Sequence, residues 1–177
     1  IFMADSAAFE ILYKEYYPRV FALCRRLLLR RECAEDATQE TFTRAFKTFK
    51  KYQSDKPFWH WIASIAHHHC IDQLRLRGRL QEADMSIEAD LDNIASSEPL
   101  AEEVLIAGEN QAQLSGAIDQ LSEKYRIPFV MAYQVQLSYD EIAELLGLNR
   151  THVGVLLLRA KLQLRSTLTA STQQESA

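Results

Sequence analysis

Apolar residues along this chain recur every three or four positions and rarely alternate, so the pattern predicts helices and no sheet. A first helix opens near Asp5 or Ser6, both good N-caps, with Phe9, Leu12, Tyr13 and Tyr16 as its apolar stripe. Pro18 either kinks that helix or starts another, and Val20, Leu23, Cys24, Leu27 and Leu28 continue the spacing. Phe42, Ala45, Phe46 and Phe49 put four apolar side chains on one face of the next helix. A basic-aromatic loop, 50–61, then leads to a helix with the stripe Phe58, Ile62, Ile65, Ala66 and His69. Residues 102–114 regain a helical pattern. Ile118 and Leu121, then Phe129, Val130 and Tyr133, line two more helices.

Local signals are sharpest near the C-terminus. Ser138 and Glu141 are spaced as a capping box before Ile142, Ala143, Leu145 and Leu146. Gly147 suits the end of that helix, and Asn149 can cap the last one. The last helix has the inward stripe Val153, Leu156 or Leu157, Ala160 and Leu164. Helix, short glycine-bearing turn and helix make the helix-turn-helix pattern. The fold class expected is all-α, with two small helical modules joined by an acidic linker. The modules span 5–79 and 114–168, the flexible linker 80–113, and a disordered tail 169–177.

Charge divides the chain in the same places. Residues 1–79 hold 14 Lys and Arg against 9 Asp and Glu, a net of +5. Residues 80–115 hold 9 acids and no Lys or Arg, whereas 116–177 balance at 6 of each. Only the first module has the electrostatics of a general nucleic-acid binder. Five Gly and four Pro leave little room for a turn-rich β fold. No apolar run reaches the roughly 18 residues a membrane helix needs, so no membrane insertion is expected. No secretory signal is visible, and Met3 is expected to be the native start. Cys24, Cys33 and Cys70 lack a paired spacing, which suits reduced thiols in a cytoplasm.

The loop mixes Lys50, Lys51 and Lys56 with Tyr52, Phe58, Trp59 and Trp61. Cations hold phosphates and flat rings stack on unpaired bases, a composition suited to single-stranded nucleic acid. A solvated basic turn with rings in the core fits the composition equally well. His67-His68-His69-Cys70 has metal-ligating residue types, but consecutive helical side chains point in different directions. Only His67 and Cys70 could share an ion, and other ligands would be needed. No metal site and no cofactor are expected. There is no glycine-rich phosphate loop, nucleophile–base pair or coordinating acid pair, so neither an enzyme nor a small-molecule substrate is expected.

Two blocks resemble a known family. Ala34-Glu35-Asp36, Gln39-Glu40, Phe42, Ala45-Phe46, Phe58, Trp61, Ile65-Ala66, Asp72 and Leu74-Arg75 resemble region two of bacterial sigma factors, best the extracytoplasmic-function (ECF) type. Leu121, Tyr125, Pro128-Phe129, Leu137-Ser138-Tyr139, Glu141-Ile142-Ala143, Leu146-Gly147, Val153, Leu157, Arg159-Ala160 and Leu164 resemble region four. The resemblance implies an alternative sigma factor that binds core RNA polymerase and directs promoter recognition, melting and initiation. It implies polymerase binding by Asp36, Gln39, Glu40 and Phe42. It assigns the minus-ten element to Lys50, Lys51, Tyr52, Lys56, Trp59, His60, Ser64, His67 and Arg75. An anti-sigma factor is the further partner implied, able to hold an otherwise cytoplasmic protein at the membrane.

The last helix departs from that family. Gly154 and Leu156 stand where such recognition helices usually carry cations. Arg150, Thr151, His152, Val155, Arg159 and Lys161 remain the candidates for the minus-thirty-five element, with Val155 and Leu158 expected to be exposed apolar residues. The element read is then T-rich, or the face binds a protein, or the helix reads DNA poorly. Two other function classes follow: a sigma-like protein that titrates an anti-sigma factor, and a metal-responsive regulator built on His67, His68 and Cys70.

Overall fold

The computed structural model describes residues 2–52, 57–78 and 111–175, with side chains described for 7–52, 57–78 and 111–170. All regular structure among them is helical, and the chain divides into two compact units, Ile1–Leu80 and Gln81–Ala177. The acidic connector at 80–110 lies outside the described residues.

Three helices build the first unit: α1 (Phe2–Leu28), α2 (Arg31–Thr48) and α3 (Phe58–Leu76), each packed on the other two. Pro18 lies inside α1, which runs through it unbroken. The helix also starts earlier than Asp5, at Phe2. Only Phe9 of its expected first stripe is buried; Tyr13 remains 38% exposed. Val20, Leu23, Cys24, Leu27 and Leu28 form the interior as expected. Leu29, at φ 60°, turns the chain into α2.

The inner face of α2 is made of small residues: Cys33, Ala34, Ala37, Thr38, Thr41 and Ala45, with Phe42. Small side chains let α1 and α3 approach closely. The buried Thr38 and Thr41 hydroxyls satisfy themselves by donating to the Ala34 and Ala37 carbonyls, each at 2.6 Å. The expected stripe of four therefore splits, because Phe46 is 53% exposed. A single 3-10 turn, Phe49–Lys51, follows. Phe58 to Trp61, expected in the loop, form the first turn of α3 instead. The buried stripe of α3 is Phe58, Trp59, Ile62, Ala63, Ala66, His67, Cys70, Ile71 and Leu74. It is rotated from the expected stripe, leaving Ile65 and His69 at its edge.

The second unit contains α4 (Gln111–Gln120), α5 (Glu123–Val130), α6 (Tyr139–Leu146) and α7 (Arg150–Glu175). A π turn, Met131–Val135, prolongs α5 and ends at Gln136 with φ 65°. The helices α4, α5 and α6 all pack on α7. Arg126 is 1% exposed and donates to the Leu121 carbonyl at 2.7 Å, tying α5 to the end of α4. The capping box forms: Ser138 Oγ accepts from the Glu141 amide, and the Glu141 carboxylate accepts from the Ser138 amide. Gly147 closes α6 at φ 69°, and Asn149 Oδ1 accepts from the His152 amide at 2.7 Å to open α7. That last helix runs to Glu175, through the stretch expected to be a disordered tail.

Candidate polymerase and promoter interfaces

On α2, Asp36, Gln39, Thr43 and Phe46 are exposed and fall on one helical stripe, away from the buried alanines. Glu40 borders the stripe and accepts from Arg44 Nε at 2.6 Å. That bond first, and the Arg44 charge with it, hold the Glu40 carboxyl below its ordinary pKa. Phe42, expected to bind polymerase, is 3% exposed and lies under the rings of Tyr13 (4.7 Å), Tyr17 (6.0 Å) and Phe9 (6.3 Å). Its place on the surface is taken by Phe46, which the stripe pattern had assigned to the core.

Between α2 and α3 the rings form one cluster. Phe49 meets Phe9 at 5.2 Å and Tyr52 at 6.1 Å; Tyr52 meets Trp61 at 5.0 Å and Phe58 at 5.4 Å; Tyr16 closes on Phe58 at 4.9 Å. Phe58 is buried, while Phe49, Tyr52 and Trp61 keep partial exposure beside the exposed Lys50 and Lys51. The rings are thus packed on one another and on the core, with three of them open on one side. Lys56 lies outside the described residues.

Two expected minus-ten residues are not on the surface. Trp59 is 4% exposed, its ring covered by the Arg19 guanidinium at 3.7 Å, and its buried Nε1 has no hydrogen-bond partner among the described residues. Trp61 is the half-exposed tryptophan; the spacing of two residues on a helix puts the pair on different faces. His67 is 2% exposed, stacked on His68 at 4.4 Å. Burial of the whole stripe from Ala63 to Ile71 takes it inward. His60 and Arg75 are exposed, and Ser64 is half-buried. Arg75 pairs with Asp72 at 3.6 Å.

The histidine-cysteine run does not converge. Cys70 is buried; His68 is exposed and donates from Nδ1 to the Ser64 carbonyl at 2.7 Å; His69 accepts from Gln73 Nε2 at 2.9 Å. No group of three metal-ligating side chains occurs among the described residues. Burial first, then the Arg44 charge, lower the pKa of His69.

In the second unit, α6, the Gly147 turn and α7 form a helix-turn-helix. Arg150, Thr151 and Arg159 are exposed, with Arg150 held by Asp140 at 2.6 Å. His152, Val155 and Lys161 are not: they are 7%, 3% and 7% exposed. Lys161 lies over the Tyr133 ring at 5.5 Å. Val155, expected on the outside, is thus covered, and Leu158 is half-buried.

The chain thus has two helical units, one with an exposed polar stripe and a basic-aromatic edge and one built on a helix-turn-helix. Residues 12–80 match the family "Sigma-70 region 2" and residues 111–164 match "Sigma-70, region 4". The chain belongs to the sigma-70 family, in its ECF branch. It is 31% identical over 165 residues to an ECF RNA polymerase sigma factor, SigE, of Mycolicibacterium smegmatis, covering 93% of this chain and 63% of that protein. It is 27% identical to the RNA polymerase sigma factor YlaC of Bacillus subtilis, covering 98% of this chain and 99% of that one. The fold is similar to the sigma factor RpoE of Bartonella quintana, solved with the anti-sigma factor NepR, at TM-score 0.57, 21% identity, and 92% and 97% coverage. No helix among the described residues is long and apolar enough to cross a membrane.

Proposed function

We propose that the chain docks on core RNA polymerase through Asp36, Gln39, Thr43 and Phe46, with Glu40 at the edge, and opens the minus-ten element with the rim formed by Lys50, Lys51, Tyr52 and Trp61. One observation carries this reading: α2 has a complete buried stripe of small residues and, separately, an exposed acidic-to-aromatic stripe, whose Phe46 ring is 53% exposed while one edge of it meets Phe9 at 5.1 Å. Melting needs no catalytic group. Each base stacked on an aromatic ring contributes about 1–3 kcal/mol, and lysines add phosphate contacts, so a few unpaired bases offset the stacking lost from the duplex. His60, Ser64 and Arg75 are the remaining contacts along α3, and Lys56 extends the basic loop. Arg150, Thr151 and Arg159 are the exposed contacts toward the minus-thirty-five element. The factor works in the cytoplasm, and an anti-sigma factor, the kind of partner in the RpoE–NepR structure, is expected to sequester it, including at the membrane.

Run-off transcription with core polymerase tests the assignment. Asp36→Arg and Phe46→Ala should lose polymerase binding and all specific transcripts. Tyr52→Ala with Trp61→Ala should keep polymerase binding but lose permanganate-reactive thymines in the promoter. Loss of polymerase binding in the second variant would sink the division of roles. Gly154 and Leu156, where recognition helices usually carry cations, motivate a second reading, titration of an anti-sigma factor, which the likeness to sigma factors does not favour. Polymerase binding without any specific transcript would put that reading first.

A further inference from the structure

Helix packing in the first unit brings together two thiols that are far apart in the sequence. Cys24 lies on the inward stripe of α1 with Leu23 and Leu27, and Cys70 on that of α3 with Ala66 and Leu74. All six side chains are fully buried, and α1 packs directly on α3. Across that packing the two thiols are hydrogen-bonded to each other, and Thr38 of α2 adds a hydroxyl beside the Cys24 sulfur. The third thiol, Cys33, instead accepts from Arg77 Nη1 at 3.2 Å. The Cys70 S–H, donating to the Cys24 sulfur, holds the Cys24 thiol below its ordinary pKa against the effect of burial. The same bond, and burial with it, push Cys70 well up. The thiolate is the nucleophilic form, so Cys24 is the attacking sulfur and Cys70 the resolving one.

We propose that Cys24 and Cys70 form a reversible redox site, which hydrogen peroxide converts to a disulfide joining α1 to α3. The Cys24 sulfur attacks one peroxide oxygen, the O–O bond breaks, and the leaving hydroxide takes the Cys24 proton as water. The Cys70 sulfur then displaces hydroxide from the sulfenic acid on Cys24, forming the S–S bond. The Cys70 proton leaves with that hydroxide as a second water. Two thiols lose two electrons, and one peroxide gains them. Sulfurs already in contact reach the bond length of about 2.05 Å by small side-chain rotations. Local opening of the helices admits the oxidant, and a dithiol reductant resets the pair by exchange. The oxidised form is a cross-link through the core, and it stabilises the first unit against unfolding.

Peroxide treatment of the native full chain, alkylation in denaturant and non-reducing tryptic mapping test the site. Trypsin places the three thiols in separate peptides, Cys24 in 20–25, Cys33 in 32–44 and Cys70 in 52–75. Peptide 20–25 should appear joined to 52–75, with the loss of two hydrogens, and dithiothreitol should separate them. Cys33→Ser, which leaves the pair intact, should give the same linkage. Linkage through Cys33, linkage only between molecules, or both thiols still free to alkylate overturns the proposal. Trp59 and Trp61 are the two tryptophans of the chain, so tryptophan fluorescence follows the first unit alone. Its thermal transition should rise by about 10 °C or more on oxidation, as expected for a disulfide in a unit this size. A linked chain whose transition is unchanged or lower overturns the stabilising role.

Discussion

Gly154 sits beside Tyr139, and a Cβ added there would lie 3.9 Å from the ring edge, ordinary contact distance. Its φ is not in the left-handed region, so alanine meets neither clash nor backbone strain. Gly154→Ala should then stabilise α7 by about 1 kcal/mol, the helix-propensity difference. In thermal denaturation followed by circular dichroism, that is a rise of about 4–8 °C in the transition of a unit this size. Histidines give a pH dependence. His69 and His152 are both lowered, chiefly by burial, so the folded chain binds fewer protons than the unfolded one. Their contribution is complete above the ordinary histidine value of about 6.5 and is lost as pH falls below it. The urea midpoint should drop between pH 7.5 and 5.5, and His69→Gln should flatten the drop; a midpoint rising on acidification contradicts the sign. The residue types of the candidate site were legible in the sequence, but individual burial was not. Trp59 and Trp61 differ by two positions, and only packing decided that Arg19 covers the first and leaves the second half-open.

Elements were more legible than their rotation. The Ser138–Glu141 box, the Gly147 stop and the Asn149 cap are local chemistry, and each forms as the sequence predicts. Ser138→Ala removes the acceptor for the Glu141 amide and should cost about 1 kcal/mol, seen as a lower urea midpoint. The stripes of α2 and α3 were harder to place, because alanine, threonine, cysteine and histidine carry weak hydropathy signals. In α2 the buried side is mostly alanine, threonine and cysteine, so the eye follows the phenylalanines and assigns Phe46 inward. Its exposure makes a contrast measurable. Phe46→Ala removes a half-exposed ring and its edge contact with Phe9 at 5.1 Å, and should cost about 0.5–1.5 kcal/mol. Ile62→Ala, at a fully buried site between the helices, should cost about 2–5 kcal/mol. If Phe46→Ala destabilises as much as Ile62→Ala, Phe46 is core and the docking stripe is wrong.

Charge and exposure across the molecule favour the first unit as the principal reader of promoters. It holds the net positive charge, the exposed Lys50 and Lys51 and the half-open rings, whereas residues 116–177 of the second unit balance their charges and keep His152, Val155 and Lys161 covered. Each phosphate contact steepens the fall of affinity with salt by about 0.9 on logarithmic axes for duplex DNA and about 0.7 for single strands. Lys50→Ala with Lys51→Ala should therefore flatten the salt dependence of holoenzyme–promoter binding by about 1.4–1.8. Arg159→Ala should flatten it by at most about 0.9, since a single exposed cation is lost. Filter binding from 50 to 300 mM salt, with polymerase saturating, measures both slopes on one template. A duplex probe carrying only the minus-thirty-five element separates the units further, because its slope reports α7 and not the lysine loop. If that probe proves the steeper of the two, the helix-turn-helix, without a net positive charge, is the stronger phosphate binder, and the order of importance drawn from charge is reversed.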